Sequence, residues 1–198
     1  MIDRILCYVE RKAAYYQGKG WGAGTVKLEV SQALKLLDTK NLKLCIDIGG
    51  NKGAYTEEII NQFPSSKVVL FEPASANVRV LKDKFSRFEN VLVEPFAVSS
   101  STGETVLYSD KEGSGLASLS KRKLDHFNIK FDKTEAIQTI LFESYWKNSL
   151  DCQPIDLCKI DIEGHELDAL NGFGEALKHI NIIQFEFGGC NIDTRNFF

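Results

Sequence analysis

The sequence lacks a long apolar run, a pair of neighbouring cysteines and an excess of either charge. Its 198 residues carry 24 basic and 27 acidic side chains, a formal net charge of −3. Because no strong field favours a polyanion, nucleic acid is not predicted as a partner. The longest apolar segments, such as 67–71 and 180–187, fall far short of the ~20 residues that span a bilayer, so no membrane span is predicted. These absences favour a small-molecule ligand.

Cysteine use and the N-terminus indicate a cytoplasmic protein. The five cysteines are an odd number, widely spaced and without a C-x-x-C pair, which argues against a disulfide framework and a structural zinc site. No metal site is predicted. Asp3, Arg4, Glu10 and Arg11 interrupt the first apolar residues, unlike the continuous apolar core of a secretory signal. The composition does not indicate an oligomeric state.

The apolar pattern predicts an α/β fold. Short apolar runs at 44–48, 67–71, 91–93, 155–160 and 182–187 alternate with helical patterns. Strands separated by helices form right-handed crossovers in a parallel sheet. We therefore expect a Rossmann-like, doubly wound sheet of mainly parallel strands. Segments 105–108 and 136–142 lie between its halves and predict a small antiparallel insertion.

The chain divides into two parts at the sequence level. Residues 1–40 predict an N-terminal helical segment packed on the core, with helices at 2–16 and 26–37 joined by a glycine-rich loop. Residues 41–198 predict the ligand-binding domain. Its last helix is expected at 164–177, before the strand at 182–187.

A glycine loop follows the first predicted strand. The sequence Asp47-Ile48-Gly49-Gly50-Asn51-Lys52-Gly53-Ala54-Tyr55 occupies the strand-to-helix turn where open α/β sheets bind ligands. Glycines let backbone amides approach a ligand, and the helix N-terminus favours an anionic group. Asp47 is positioned to accept hydrogen bonds from an ammonium, so the loop suits an amino acid moiety.

An acidic residue follows the second predicted strand. Glu72 lies in Phe71-Glu72-Pro73, near the separation of roughly 20 residues from the loop at which a carboxylate meets a ribose diol. Glycine spacing does not match the G-x-G-x-x-G dinucleotide fingerprint. The joint pattern of Asp47, the glycines and Glu72 therefore favours a nucleoside ligand other than a dinucleotide.

These motifs resemble class I S-adenosylmethionine-dependent methyltransferases. Residues 155–166, IDLCKIDIEGHE, and 184–189, QFEFGG, are similar to later strand motifs of the FkbM family, and the resemblance extends from about Leu44 to the end. It implies S-adenosyl-L-methionine as cofactor and O-methylation of a hydroxyl on a sugar, polysaccharide or secondary metabolite. The family normally ends in an antiparallel strand pair, which we expect to be absent here because few residues follow the fifth strand. The resemblance therefore implies that residues 41–198 form a methyltransferase domain truncated at its C-terminus.

The resemblance implies a set of site residues. Those expected at the cofactor, including the Phe96-Ala97-Val98 segment at the adenine, are Asp47, Gly49, Gly50, Asn51, Gly53, Tyr55, Glu72, Pro73, Phe96, Ala97, Val98 and Asp161. Asp161, Glu163 and His165 are the catalytic candidates. Methyl transfer requires a held acceptor oxygen and removal of its proton, and either His165 or Glu163 is suited to take that proton.

Two other functions remain open from the sequence. One is a nicotinamide-dependent reductase, although the glycine spacing opposes it and the Y-x-x-x-K sequence at 15–19 precedes the cofactor loop. The other is a non-catalytic cofactor-binding module or fragment, since fold alone does not establish catalysis.

Overall fold

The computed structural model describes residues 2–16, 25–37 and 41–195. The helices are α1 Ile2–Tyr16, α2 Val26–Leu36, α3 Ala54–Gln62, α4 Ser75–Lys84, α5 Phe142–Ser149, α6 Glu166–Asn171 and α7 Gly189–Thr194. The strands are β1 Leu44–Ile48, β2 Lys67–Phe71, β3 Val91–Glu94, β4 Ala97–Val98, β5 Gly103–Ser109, β6 Lys133–Ile140, β7 Ile155–Ile160 and β8 Ile180–Phe185. Short 3₁₀ segments cover Asp125–Phe127 and Gly174–His179.

The central sheet has five parallel strands in the order β3-β2-β1-β7-β8. All five residues of the middle strand β1 are buried, as expected for a parallel strand covered on both faces. The strand order changes direction between β1 and β7, which is where open α/β sheets bind ligands. The α/β fold class and the parallel sheet are therefore confirmed.

Alternate residues of β1 face two different cores. Leu44, Ile46 and Ile48 pack with residues of α5 and α6 and with Phe173, which follows α6. The Phe142 and Phe173 rings stack with their centroids 4.2 Å apart. On the opposite face, Cys45 packs with side chains of α2, α3 and α4. Helices on both faces make the sheet doubly wound and fix the strand ends that carry the site.

The N-terminal helices differ in how they meet this core. Val30 and Ala33 of α2 are buried against α3. On α1, Ile5 and Leu6 are more than half exposed. The division at residue 40 stays a prediction, and the predicted glycine-rich loop lies outside the described residues.

A second sheet of three strands, in the order β4-β6-β5, carries the insertion. Strands β5 and β6 are antiparallel over seven residue pairs, from Gly103–Thr139 to Ser109–Lys133. The antiparallel insertion is therefore confirmed, although its second strand was predicted too far along the chain. Phe142 belongs to α5 and is fully buried, so it begins a helix instead of ending a strand.

Two more predicted boundaries are corrected by glycines and by register. The helix predicted at 164–177 is only α6 followed by a 3₁₀ segment. Gly174 has a φ of +48°, which is outside the right-handed helical region, so a continuous helix does not pass this point. Gly172 lies so close to Ser99 that a Cβ would be 2.0 Å from its carbonyl oxygen. Strand β8 ends at Phe185, two residues before the predicted end, because its last pair is with Ile160.

Candidate active site

The site lies where the parallel strands end together. Ile48 pairs with both Phe71 and Ile160, and Ile160 pairs with Phe185. The next residues along the chain are Gly49, Glu72, Asp161 and Glu186, and the sheet register brings all four to one edge. This register places the acidic residues Glu72, Asp161 and Glu186 next to the glycine loop.

A cavity opens at this edge, and the carboxyl end of a parallel sheet is a usual place for a small-molecule site. It is lined by Ile48, Gly49, Asn51, Phe71, Glu72, Pro73, Phe96, Ala97, Val98, Leu107, Ser114, Gly115, Ala117, Ser118, Leu119, Asp161, Ile162, Glu163 and His165. Ten of the predicted site residues are in this set, including all three catalytic candidates. Their assigned roles stay predictions, because the cavity shows only that they share one space.

Gly49 holds the loop against the neighbouring strand. Its φ is +83°, and a Cβ at this position would lie 1.9 Å from the Asp161 carbonyl oxygen. Its amide and that of Gly50 donate to the Phe71 carbonyl oxygen at 2.9 and 3.0 Å. The Gly53 amide donates to Gly50. In this structure the three amides hold the turn closed, and their approach to a ligand stays a prediction.

Asp47 lies beneath the loop, outside the cavity lining. It is 1% exposed, and Thr56 on α3 donates to its Oδ2 at 2.7 Å. Oδ1 is buried without a hydrogen-bond partner in the described structure. Burial raises the pKa of Asp47, while the positive charge of Lys159 opposes that shift. Asp47 supports the N-terminus of α3 here, and its contact with a ligand ammonium stays a prediction.

Three other predicted cofactor residues serve packing in this structure. Gly50 lies against the Leu70 side chain and Gly53 against the Phe85 ring, each with no room for a Cβ. The Tyr55 hydroxyl donates to Gln184 at 2.6 Å. None of the three lines the cavity, so their influence on a ligand would be through the shape of the loop.

Glu72 is a buried carboxylate fixed by the backbone around it. The amides of Asn51 and Ala74 donate to its two oxygens at 2.8 and 2.9 Å, and the Asn77 amide group adds a contact at 3.4 Å. Burial raises the pKa of Glu72 to about 7 in spite of these donors. Each carboxylate oxygen has further acceptor capacity, so Glu72 is a rigid acceptor at the cavity wall.

An apolar wall lies beside Glu72. Phe96 precedes β4, and Ala97 and Val98 form it, with Leu107 of β5 adjacent in the lining. The loop at 113–118 covers the opposite side, where Gly115 approaches the Asn51 side chain so closely that a Cβ would lie 2.9 Å from Nδ2. A planar apolar group next to a hydrogen-bonded diol would match this surface.

Asp161 is the first residue of an acidic group at the other end of the cavity. Lys159 donates to its Oδ2 at 2.9 Å. Glu186 also makes a hydrogen bond with Asp161, and burial together with the charge of Asp161 raises the pKa of Glu186 to about 7. Two carboxyl groups can form a hydrogen bond to each other only when one of them is protonated, and a neighbouring negative charge favours that neutral form.

Glu163 is paired with a cation from the insertion. Arg122 Nη1 donates to Glu163 Oε2 at 2.6 Å, and Arg122 Nε donates to Asp193 at 3.2 Å. Burial raises the pKa of Glu163 to about 7, against the lowering effect of Arg122. Arg122 therefore ties the insertion, the Asp161–Glu163 turn and α7 together.

His165 is hydrogen-bonded through both ring nitrogens. Nδ1 lies 2.8 Å from Asp168 Oδ2, and Nε2 lies 2.9 Å from Ser120 Oγ. Asp168 is therefore the carboxylate that contacts His165 Nδ1. Neither Asp168 nor Ser120 is among the predicted site residues, and no sequence pattern points to Ser120.

Glu186, Arg122 and Glu166 are the other residues that the sequence did not single out. Glu166 is fully buried, accepts the amides of Ile162 and Gly164 at 3.1 Å each, and accepts Asn191 Nδ2 at 2.6 Å. It fixes the turn that carries Asp161 and Glu163. Ending the last strand at Phe185 would have placed Glu186 beside Asp161.

Comparison with known proteins identifies the family of this chain. A family model described as the methyltransferase FkbM domain matches residues 47–196. The chain belongs to the FkbM methyltransferase family. This family membership confirms the resemblance seen in the sequence motifs.

Individual relatives of this FkbM-family chain are distant. The 2-O-methyltransferase NoeI of Sinorhizobium fredii (strain NBRC 101917 / NGR234) is 23% identical over 172 residues, which cover 82% of this chain and 70% of that protein. Among solved structures, a precorrin-6y C5,15-methyltransferase from Geobacter metallireducens GS-15 has a TM-score of 0.46 and 13% identity. That match covers 84% of this chain and 65% of the other, so the chain spans less than two thirds of its length.

Two further properties concern only the described part of this FkbM-family chain. It contains no group of three or more His, Cys, Asp or Glu side chains arranged to hold a metal ion. None of its helices combines the length and apolarity needed to cross a bilayer.

Proposed function

We propose that this FkbM-family chain is an S-adenosylmethionine-dependent O-methyltransferase acting on a hydroxyl of a sugar, polysaccharide or secondary metabolite. The observation that carries the proposal is one cavity with two chemically different ends. Glu72 and an apolar wall form one end, and Asp161, Glu163 and His165 form the other.

The first end fits the nucleoside half of the cofactor. The Glu72 carboxylate is fixed by the Asn51 and Ala74 amides, which leaves it oriented to accept the two hydroxyls of a ribose. Phe96, Ala97 and Val98 offer apolar contact to adenine. The preformed acceptor and wall reduce the ordering that binding would otherwise require.

The second end fits the acceptor and its proton. When bound, S-adenosylmethionine supplies an electrophilic methyl group, which a hydroxyl oxygen takes by in-line displacement as it loses its proton. The chain's part is to position that oxygen, exclude water and accept the proton. Asp161, Glu163 and Glu186 also provide acceptors for the several hydroxyls of a sugar, and NoeI is named as a 2-O-methyltransferase.

Turnover on a panel of sugars and polyols tests the proposal. We expect the full chain to release S-adenosylhomocysteine from S-adenosylmethionine only when a hydroxyl acceptor is present. Asp161→Asn should remove most of this release, whereas Glu104→Gln, on exposed β5, should not. Binding of the cofactor product without release on any acceptor would favour a non-catalytic module. A rise in melting temperature with nicotinamide cofactors would favour a reductase.

A further inference from the structure

The His165 ring lies in a chain of three side chains from two parts of the molecule. Asp168 is three residues further along the chain, in the first turn of α6, and accepts a hydrogen bond from His165 Nδ1. Ser120 follows the insertion loop and meets Nε2. His165 also lines the cavity, so this hydrogen-bonded chain ends at the space assigned above to the acceptor.

These contacts select one tautomer of the neutral ring. An ionised carboxylate can only accept a hydrogen bond, so Nδ1 carries the hydrogen that points at Asp168. Nε2 then has a lone pair, and the Ser120 hydroxyl is the donor to it. Because Nε2 has only this one lone pair, an acceptor hydroxyl reaches it either by replacing the Ser120 hydroxyl or through that hydroxyl.

The surrounding backbone holds both partners in place. Ser118 Oγ donates to the Glu163 carbonyl oxygen at 2.9 Å and accepts the Ser120 amide at 3.3 Å. On the other side, Thr194 Oγ1 donates to the Gly164 carbonyl oxygen at 2.7 Å. Ser120 and His165 are therefore fixed relative to each other by the insertion and α7 together.

The other acidic groups at this end are already committed to cations or to each other. Glu163 is bound by Arg122 at 2.6 Å, and Asp161 is bound by Lys159 at 2.9 Å and hydrogen-bonded to Glu186. Removing a proton from an acceptor with one of these groups would compete with an existing ion pair. The Nε2 atom of His165, by contrast, contacts the neutral hydroxyl of Ser120.

We propose that Asp168 and Ser120 are positioning residues that hold His165 as the Nδ1–H tautomer, with Nε2 as the atom that takes the acceptor's proton. The inference rests on the proposed methyl transfer. The acceptor oxygen forms its bond to the methyl carbon, and its proton passes to Nε2, directly or through the Ser120 hydroxyl. The resulting imidazolium is stabilised by Asp168 and returns the proton to solvent.

The tautomer can be measured without any ligand. The chain has three histidines, His126, His165 and His179, so ring ¹⁵N resonances of the labelled full chain are assigned with His165→Gln. At mildly alkaline pH we expect the His165 signals of the Nδ1–H form. Asp168→Asn should move the ring toward the Nε2–H form, because an amide can donate to Nδ1. Glu175→Gln removes an exposed acid from the next helical segment and should change nothing.

A purely structural role for Asp168 predicts a different result. If Asp168 only complements the helix dipole, Asp168→Asn and Glu175→Gln lower stability similarly and leave the His165 tautomer unchanged. An Nε2–H ring in the wild-type protein, or an unchanged tautomer in Asp168→Asn, would overturn the inference. Ser120→Ala should keep the Nδ1–H form, since Asp168 sets it.

Binding and turnover separate this inference from the proposed function. S-adenosylhomocysteine should bind the wild type, Asp168→Asn and Ser120→Ala within about threefold of one another, because neither residue is at the Glu72 end. Absence of binding to the wild type would overturn the proposed function. The tautomer measurement would then still decide whether Asp168 holds His165 in the Nδ1–H form. On the fastest acceptor of the panel, Asp168→Asn should lower kcat by about 100-fold with KM nearly unchanged. An unchanged kcat would overturn the role of Asp168.

Discussion

The two ends of the cavity are built from different kinds of contact. At the Glu72 end, the carboxylate is held by amides from the two neighbouring strand-to-helix turns. At the Asp161 end, Arg122 and Ser120 from the insertion contact Glu163 and His165. Helix α7 supports the turn between those two residues through contacts with Glu166 and the Gly164 carbonyl oxygen. The sheet therefore positions Glu72 and Asp161, whereas Glu163 and His165 also depend on contacts with the insertion.

The glycine loop is the point where both ends meet, and Gly49→Ala should have the largest effect. The new Cβ would overlap the Asp161 carbonyl oxygen, and alanine is disfavoured at a φ of +83°. We expect a loss of about 3 kcal/mol or more in the free energy of unfolding, measured by urea denaturation. Gly103→Ala is the matched control, since a Cβ there meets nothing within 4 Å. Equal stability of the two variants would contradict this account of the loop.

Glu72→Gln should weaken binding at the cofactor end of the cavity without changing the residues of the Asp161 end. An amide keeps one acceptor but cannot receive both hydroxyls of a diol, and a hydrogen bond to a charged group contributes roughly 1.5–3 kcal/mol. We expect S-adenosylhomocysteine to bind about 100-fold more weakly by calorimetry. Glu94→Gln changes the carboxylate that ends the neighbouring strand β3 but lies outside the cavity lining, and it should bind normally. Similar affinities for both variants would show that Glu72 is not the ribose acceptor.

The pH dependence of binding follows from Glu72. Its pKa of about 7 lies above the ordinary value of 4.5, so the carboxyl is mostly protonated at pH 6 and ionised at pH 8. Because a diol donates to the ionised form, affinity for S-adenosylhomocysteine should rise with pH by up to about tenfold across this range. The free energy of unfolding depends on pH in the opposite direction. Because the pKa of Glu72 is higher in the folded chain, the protonated group stabilises the fold below pH 4.5, and this stabilisation is lost as the pH rises through 7. Glu72→Gln should flatten both profiles, and an affinity that falls with pH would contradict the assignment.

How much the sequence could predict also differs between the two ends. Glu72 and Gly49 lie directly after short buried strands, so strand-end spacing predicts their position. Ser120 and Arg122 come from a stretch without a periodic pattern, and only the packed insertion brings them to His165 and Glu163. The five-stranded parallel sheet was predictable for the same reason as Glu72, because its strands are continuous apolar runs.

The missed features have specific physical causes. Helix α5 was missed because Phe142 continues the alternation of β6 before it turns into the core. Glu186 was missed because the aromatic residues Phe185 and Phe187 extend the strand pattern past the last paired residue. The hydrogen bonds of the Gly49 and Gly50 amides could not be predicted either, because their acceptor, the Phe71 carbonyl oxygen, belongs to another strand.

Glu186→Gln should have the smallest effect on cofactor binding. Glu186 lies at the Asp161 end, and its raised pKa reflects burial and the charge of Asp161. Removing its charge should leave the affinity for S-adenosylhomocysteine within about twofold, while turnover on the acceptor panel falls. A large loss of binding, measured by the same calorimetry, would show that the two ends are not independent.

A crystal structure of the chain with S-adenosylhomocysteine tests the central claim, that one cavity joins a cofactor end to an acceptor end. The account predicts both ribose hydroxyls within hydrogen-bond distance of Glu72, the adenine against Phe96, Ala97 and Val98, and the sulfur facing the Asp161–His165 turn. A ligand bound outside the cavity, or with its ribose away from Glu72, would contradict it.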